Sequence, residues 1–260
     1  MTSEGVEVSR SGGVVTVTLD SPETRNGMTL KSWERLGTVL REVSVSTEDR
    51  VLLLTGANGT FCSGARLTPR GDGEPIPSPL ARMDVVNDAC KVLHDLRQPT
   101  VAVVSGYAVG AGFSLAIGCD LVIADDTARF SAMFVKRGLS IDCGGSWSLV
   151  NRIGLHRAKE LALFGRTLSA REAQELGLVN RVVRPEGLGD SVTEWTQELL
   201  ALPPIALAQN KRLLDRATSG GFDDALAREA AAQQLNSTTD DTREAISSFI
   251  EKRTPTYRGR

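Results

Sequence analysis

The stretch that most constrains this chain is residues 104–120, VSGYAVGAGFSLAIGCD. Residues 101–104, VAVV, lead into it and read as a parallel strand buried on both faces. Gly106, Gly110 and Gly112 break that strand, and the apolar run 113–117 reads as a buried helix. A glycine-rich turn between strand and helix leaves backbone N–H groups unpaired at the helix start. The helix dipole adds partial positive charge at the same place. Gly110, Ala111 and Gly112 carry so little side chain that a ligand can approach the backbone closely. These are the properties that hold a developing oxyanion. Spacing alone allows a second reading, a tight turn packed against other chain. Two familiar motifs fit poorly. A dinucleotide fingerprint fails because Leu115 stands where its third glycine belongs. A nucleophile elbow at residues 112–116 fails because Ser114 falls inside the helix, with only His156 after it.

The rest of the chain repeats the alternation. Val6 and Val8, then Val15, Val17 and Leu19, alternate with polar residues on either side of Gly12-Gly13 and predict a β-hairpin. Leu30, Trp33, Leu36 and Leu40 lie at helical spacing within residues 29–45. Residues 51–55 read as a buried strand, followed by a second small-residue loop, 56–67 (GANGTFCSGARL). The segment 68–79 carries four prolines and two glycines and reads as a loop, either a surface excursion or a flap beside residues 63–67. A helix over 80–96, a strand over 100–104, and strands at 121–124 and 128–131 follow. Strands alternating with helices argue an α/β fold with a largely parallel sheet. From Gly144 onward the chain reads as mostly helical, over 146–152, 154–164, 188–200, 204–217, 222–236 and 241–252. A capping box, Ser169 to Glu172, opens another helix, and 179–183 is a short strand. The natural division is a core of residues 1–200 and a helical region of 201–260. Leu213, Leu214, Leu226, Leu235, Ile246, Phe249 and Ile250 of that region need cover, from within the chain or from another subunit.

A chain of 260 residues with 41% apolar and 24% charged residues has the makeup of a soluble globular protein. A net charge of −2 gives no electrostatic case for nucleic acid or an anionic membrane. The opening MTSEGVEVSRSGG lacks the apolar core of a secretory signal, so the expectation is cytoplasmic. Cys62, Cys90, Cys119 and Cys143 are scattered and read as reduced thiols that pack rather than react. With only His94 and His156, zinc is not expected. Both histidines read as structural or surface side chains, and Trp33, Trp147 and Trp195 as core or interface residues.

Taken together, four stretches resemble the crotonase (enoyl-CoA hydratase/isomerase) superfamily: 21–27 (SPETRNG), 61–67 (FCSGARL), 105–112 with 118–120 (SGYAVGAG, GCD), and 138–146 (GLSIDCGGS). Residues 167–179, TLSAREAQELGLV, are similar to the family as well. The resemblance covers essentially the whole chain. It implies repeated ββα units with a C-terminal helical trimerisation region, assembled as a homotrimer or a dimer of trimers. It implies an acyl-CoA thioester as partner and no cofactor beyond the coenzyme A of the substrate. Two backbone N–H groups would hold the thioester oxygen as an enolate forms, and motif position assigns these to Ala65 and Ala111. The CoA moiety would lie near Glu23 and Arg25 and near Arg66 and Leu67, with Ser63, Gly64, Gly110, Ser114 and Phe134 lining the rest of the site.

The sequence departs from the hydratases of that superfamily. They use two glutamates, where this chain has Ser114 and Phe134. Neither residue serves as a general acid or base here. Asp142 remains, at the place where related isomerases carry a catalytic aspartate. The resemblance therefore implies an isomerase that moves a double bond or opens a ring, with Asp142 carrying the proton. Asp142 as a helix N-cap is the structural alternative. Hydration by a non-standard acid, hydrolysis or dehalogenation with Asp142 as nucleophile, and acyl-CoA binding without turnover are the functional ones.

Overall fold

Apolar residues on both faces of the central strands force this sheet to be covered twice, and the chain supplies a layer for each face. The computed structural model describes residues 4–66 and 78–260; Leu67 and residues 68–77 of the flap segment lie outside them. Strands β1 (Val6–Ser11) and β2 (Val14–Leu19) form the expected antiparallel hairpin. β3 (Val51–Gly56), β4 (Thr100–Val104), β6 (Leu121–Asp125) and β9 (Arg181–Val183) extend it in parallel, giving the order β1-β2-β3-β4-β6-β9. Alternate residues face opposite ways. Leu52, Leu54, Ala102, Val104, Val122 and Ala124 join the large core, while Val51, Leu53, Val101 and Ile123 join a second cluster. Helix α1 (Leu30–Val45) covers the first face with Trp33, Leu36, Val39, Leu40 and Val43. Helix α6 (Leu188–Leu200) covers the second with Leu188, Val192, Trp195 and Leu199.

Local chemistry sets the helix ends. Thr29 caps α1 through a reciprocal bond with Ser32, and the Ser169–Glu172 box opens α5 (Ala170–Glu175) as its sequence predicts. Helix α2 (Pro79–Asp95) packs against α1. Helix α4 (Gly145–Phe164) is broken at Gly154, whose φ of 76° and ψ of 160° separate the two helical pieces read from the sequence.

One expectation is corrected. The glycine turn does not pass straight from β4 to a helix. Residues Tyr107–Val109 form a further strand, β5, paired with β7 (Arg129–Ser131), which pairs in turn with β8 (Thr167–Ser169) in a separate three-stranded sheet. Strands this short need a partner to register, and that partner lies about twenty residues further on. The helix after them, α3 (Ala111–Gly118), starts two residues earlier than the apolar run suggests, and its first seven residues are all buried.

Helices α7 (Pro204–Asp215), α8 (Phe222–Ser237) and α9 (Asp240–Glu251) end the chain. Leu214, Leu226, Leu235, Ile246, Phe249 and Ile250 are exposed on them, Phe249 to 85%. Cover from within the described chain is therefore not what these side chains receive. Among the described residues, no helix is long and apolar enough to cross a membrane.

Candidate active site

The loop carrying Ala65 is built by two single-residue bridges. Cys62 bridges Ala108 of β5, and Ala65 bridges Met28. In the second bridge Met28 N–H donates to the Gly64 carbonyl at 2.8 Å, and Arg66 N–H donates to the Met28 carbonyl at 2.8 Å. The alternation of a parallel pairing leaves the Ala65 N–H turned away from Met28. The Ala111 N–H is one of the orphan donors at the start of α3. Among the described residues neither N–H has a hydrogen-bond partner.

Two glycines let the segments meet. Gly64 has φ +98°, and a Cβ on it would lie 2.8 Å from the Val109 carbonyl and 3.4 Å from the Ala111 nitrogen. Gly110, at φ 56° and ψ −123°, turns the chain from β5 into α3 and donates its N–H to the Ser131 carbonyl at 2.9 Å. The β5–β7 pairing missed in the sequence is thus what fixes the second candidate donor.

Sequence reasoning also missed Asn26. Its buried side chain donates to the carbonyls of Ala57 and Thr60 at 3.0 and 2.7 Å and accepts from Ser21 N–H at 3.0 Å. It ties the turn of residues 21–27 to the loop that holds Ala65. The signal was an Asn-Gly pair, and Asn26 does take the left-handed conformation at φ 61°. Asn26→Ala is expected to cost about 1–3 kcal/mol, because two carbonyls and an amide lose a partner. Chemical denaturation measures it, and faster amide exchange at residues 57–65 would localise it.

The CoA-side residues come together in part. Ser63 N–H donates to the Arg25 carbonyl at 3.0 Å and its Oγ to the Thr24 carbonyl at 2.7 Å, which docks the two candidate segments on each other. Glu23 and Arg66 are exposed. Arg25, left-handed at φ 54°, lays its guanidinium 5.6 Å over the Tyr107 ring.

The turn of residues 141–145 closes over α3. A Cβ on Gly145 would sit 2.3 Å from Ser114 Oγ, so glycine is required for that contact. The Ser114 hydroxyl is buried and without a hydrogen-bond partner. Asp142 is not the N-cap of α4. Gly144 holds that position with no side-chain cap, and Asp142 contributes only its backbone carbonyl, accepting from Gly145 N–H at 2.9 Å. Its Oδ1 is buried with no hydrogen-bond partner. Burial raises the Asp142 pKa above the ordinary carboxylate value, against weaker lowering by the Cys143 thiol and Arg82. A carboxyl held above its unfolded pKa adds stability in full below that unfolded value, and the contribution disappears as pH rises through the folded pKa. Asp142→Asn is therefore expected to melt higher than the parent at neutral pH. The difference should close under acid conditions, as thermal melts across pH would record.

Behind this turn, α2, α3 and α4 enclose a cavity of about 360 Å³. Leu93, Leu115, Cys143 and Trp147 give it apolar walls, and Ser114 lines it one helical turn beyond Ala111. Among the described residues, no Asp or Glu lines it; Cys143 and Gly144, which follow Asp142 in the chain, do. Phe134 is buried in the 3₁₀ turn Met133–Arg137 and does not line it. His94, read from the sequence as structural or surface, and Trp147, read as core or interface, are both wall residues, their rings edge-to-face at 5.1 Å. Trp33 is core as expected, and His156 is exposed. The Cys62 thiol, fully buried, is pushed up to about 12, which makes it a packing group.

Comparison with known proteins now adds to the geometry. Residues 9–260 match the family model "Enoyl-CoA hydratase/isomerase". The chain is 37% identical over 251 residues to the 1,2-epoxyphenylacetyl-CoA isomerase of Escherichia coli, covering 95% of this chain and 96% of that one. The crystal structure of the enoyl-CoA hydratase of Bacillus anthracis superposes with a TM-score of 0.93 at 30% identity, over 98% of this chain and 100% of the other. A Thermobifida fusca protein solved in complex with CoA superposes with a TM-score of 0.83 at 34% identity, over 90% and 93% of the two chains. With the sheet order, the paired glycine loops and the agreement along almost the whole length, the chain belongs to the enoyl-CoA hydratase/isomerase family and has the crotonase fold.

Proposed function

We propose that this enzyme isomerises an acyl-CoA thioester through an enolate, with Asp142 as the proton carrier. The observation that carries the reading is the Asp142 carboxyl: one buried oxygen without a partner, a raised pKa, and no capping role. The Ala65 and Ala111 N–H groups polarise the thioester carbonyl, and the negative charge that develops on its oxygen meets donors needing no reorganisation. Asp142 takes a proton from the acyl chain and returns it at another carbon, so a double bond moves or a strained ring opens. A carboxylate whose proton affinity is raised by burial suits both halves of that transfer. The similarity to the 1,2-epoxyphenylacetyl-CoA isomerase favours isomerisation over hydration, and an arylacetyl thioester is the first substrate class to try. The chemistry so written needs no cofactor beyond the CoA of the substrate, which the turn of Glu23 and Arg25 and the exposed Arg66 would meet.

The apolar side chains left exposed on α7, α8 and α9 support assembly of the chain with copies of itself as a homotrimer or dimer of trimers. Light scattering tests that point separately.

Proton exchange tests the chemistry. The protein is incubated in D₂O with saturated, 2-enoyl, 3-enoyl and arylacetyl CoA thioesters, and deuterium uptake is followed by mass spectrometry. Uptake at the carbon next to the thioester is the expected result, and the responsive thioester names the substrate class. Tight binding of every thioester with no uptake would replace the enolate reading with nucleophilic attack or binding alone.

A further inference from the structure

We infer that His94 and Ser114 make this a site for acyl groups that carry an oxygen beyond the α-carbon, such as a ring hydroxyl, rather than for plain hydrocarbon acyl groups. The inference rests on the cavity being the acyl site. Its walls are mainly apolar, and Ser114 and His94 are the polar groups on which the inference rests. The Ser114 hydroxyl is 1% exposed as a residue, and its Oγ has no partner. His94 is half-buried, and among the described residues neither ring nitrogen forms a hydrogen bond.

The imidazole packs against an aromatic neighbour. Trp147 stands edge-on to it at 5.1 Å and 73°. A ring so placed is a fixed hydrogen-bonding group at the cavity wall. A hydrocarbon acyl group entering a cavity of about 360 Å³ would displace water from His94 and leave the Ser114 hydroxyl unpaired. An acyl oxygen supplies what both groups lack. Discrimination of this kind is strong because the unfavourable complex leaves buried polar groups unpaired.

The test compares phenylacetyl-CoA with 2-, 3- and 4-hydroxyphenylacetyl-CoA, with deuterium exchange at the α-carbon as readout and kcat/KM for each. At least one hydroxylated probe is expected to exceed phenylacetyl-CoA by about tenfold or more. His94→Leu should bring that ratio down toward one, and His94→Gln, which keeps a hydrogen-bonding group, should restore part of it. A ratio of one or less in the parent for all three hydroxylated probes, or a ratio that His94→Leu leaves unchanged, would overturn the inference. If the parent exchanges none of the probes, calorimetric dissociation constants are read instead, with the same ratios expected and the same results overturning it. Asp142→Asn separates the two readings. Exchange that persists in that variant counts against Asp142 as the proton carrier, while the hydroxyl preference and its response to His94 stand or fall alone.

Discussion

Asp142→Asn is expected to fold like the parent and to lose about 10²–10⁴-fold in α-proton exchange, the share that a positioned acid or base contributes. The amide has nearly the volume of the carboxyl, and the native carboxyl gives no capping hydrogen bond to the helix behind it, so no helix cap is removed. What is removed is a partly buried carboxyl whose chain neighbour Cys143 lines a cavity with no acid, among the described residues, in its wall. The loss should fall mainly on kcat, because the ground-state thioester is held by backbone donors rather than by Asp142. The parent should also show an ascending pH limb displaced above the ordinary carboxylate range, since burial raises this group and the base works ionised. That limb should vanish in the variant. Full exchange activity in Asp142→Asn would remove the residue from the mechanism. Together with the higher melting temperature expected of the same variant, the result would show a site residue kept at a cost in stability.

Gly112→Ala is expected to damage both stability and activity. A Cβ there would sit 2.4 Å from the Cys62 carbonyl oxygen and 2.7 Å from the Cys62 Cβ, and the obstructing oxygen is backbone that cannot swing aside. Helix α3 must then withdraw from the loop of residues 61–65. Overpacking of this kind costs about 1–3 kcal/mol. The activity loss should be larger than the instability accounts for, because α3 carries the Ala111 N–H and the loop carries that of Ala65. Spoiling one such donor is worth about 10²–10³-fold in kcat. Gly189→Ala in α6 is the matched control: its Cβ meets nothing within 4 Å, and removing a helical glycine should stabilise by about 0.5–1 kcal/mol. Denaturation midpoints and exchange rates on the two variants measure both effects. A Gly112→Ala protein as active as the parent would mean that the two donors need not be held together.

The sequence by itself determined the elements and the identity of the chemistry-bearing positions. Hydrophobic period separated strands from helices, so β1 to β4 and α1, α6, α7, α8 and α9 lie within a few residues of where their patterns place them. The Ser169–Glu172 box and the break at Gly154 were legible because they are local: the residues concerned are neighbours in the chain. Asp142 and the small-residue loops could be singled out for the same reason.

Tertiary structure alone decided what each of those residues does. Strand β5 is three residues long and carries no period of its own; it exists because β7 pairs with it. Asn26 reads as an ordinary turn residue until its amide is seen to bind carbonyls more than thirty residues away. Asp142 is compatible with a helix cap in one dimension, and only the position of Gly144 and the burial of Oδ1 exclude that role. His94 and Trp147 sit on separate helices, and nothing in the residues around either one signals that both face a single cavity. Local propensity acts over a few bonds, whereas a site is assembled from groups brought together by packing, and burial, orphaned donors and shifted proton affinities arise only once that packing exists.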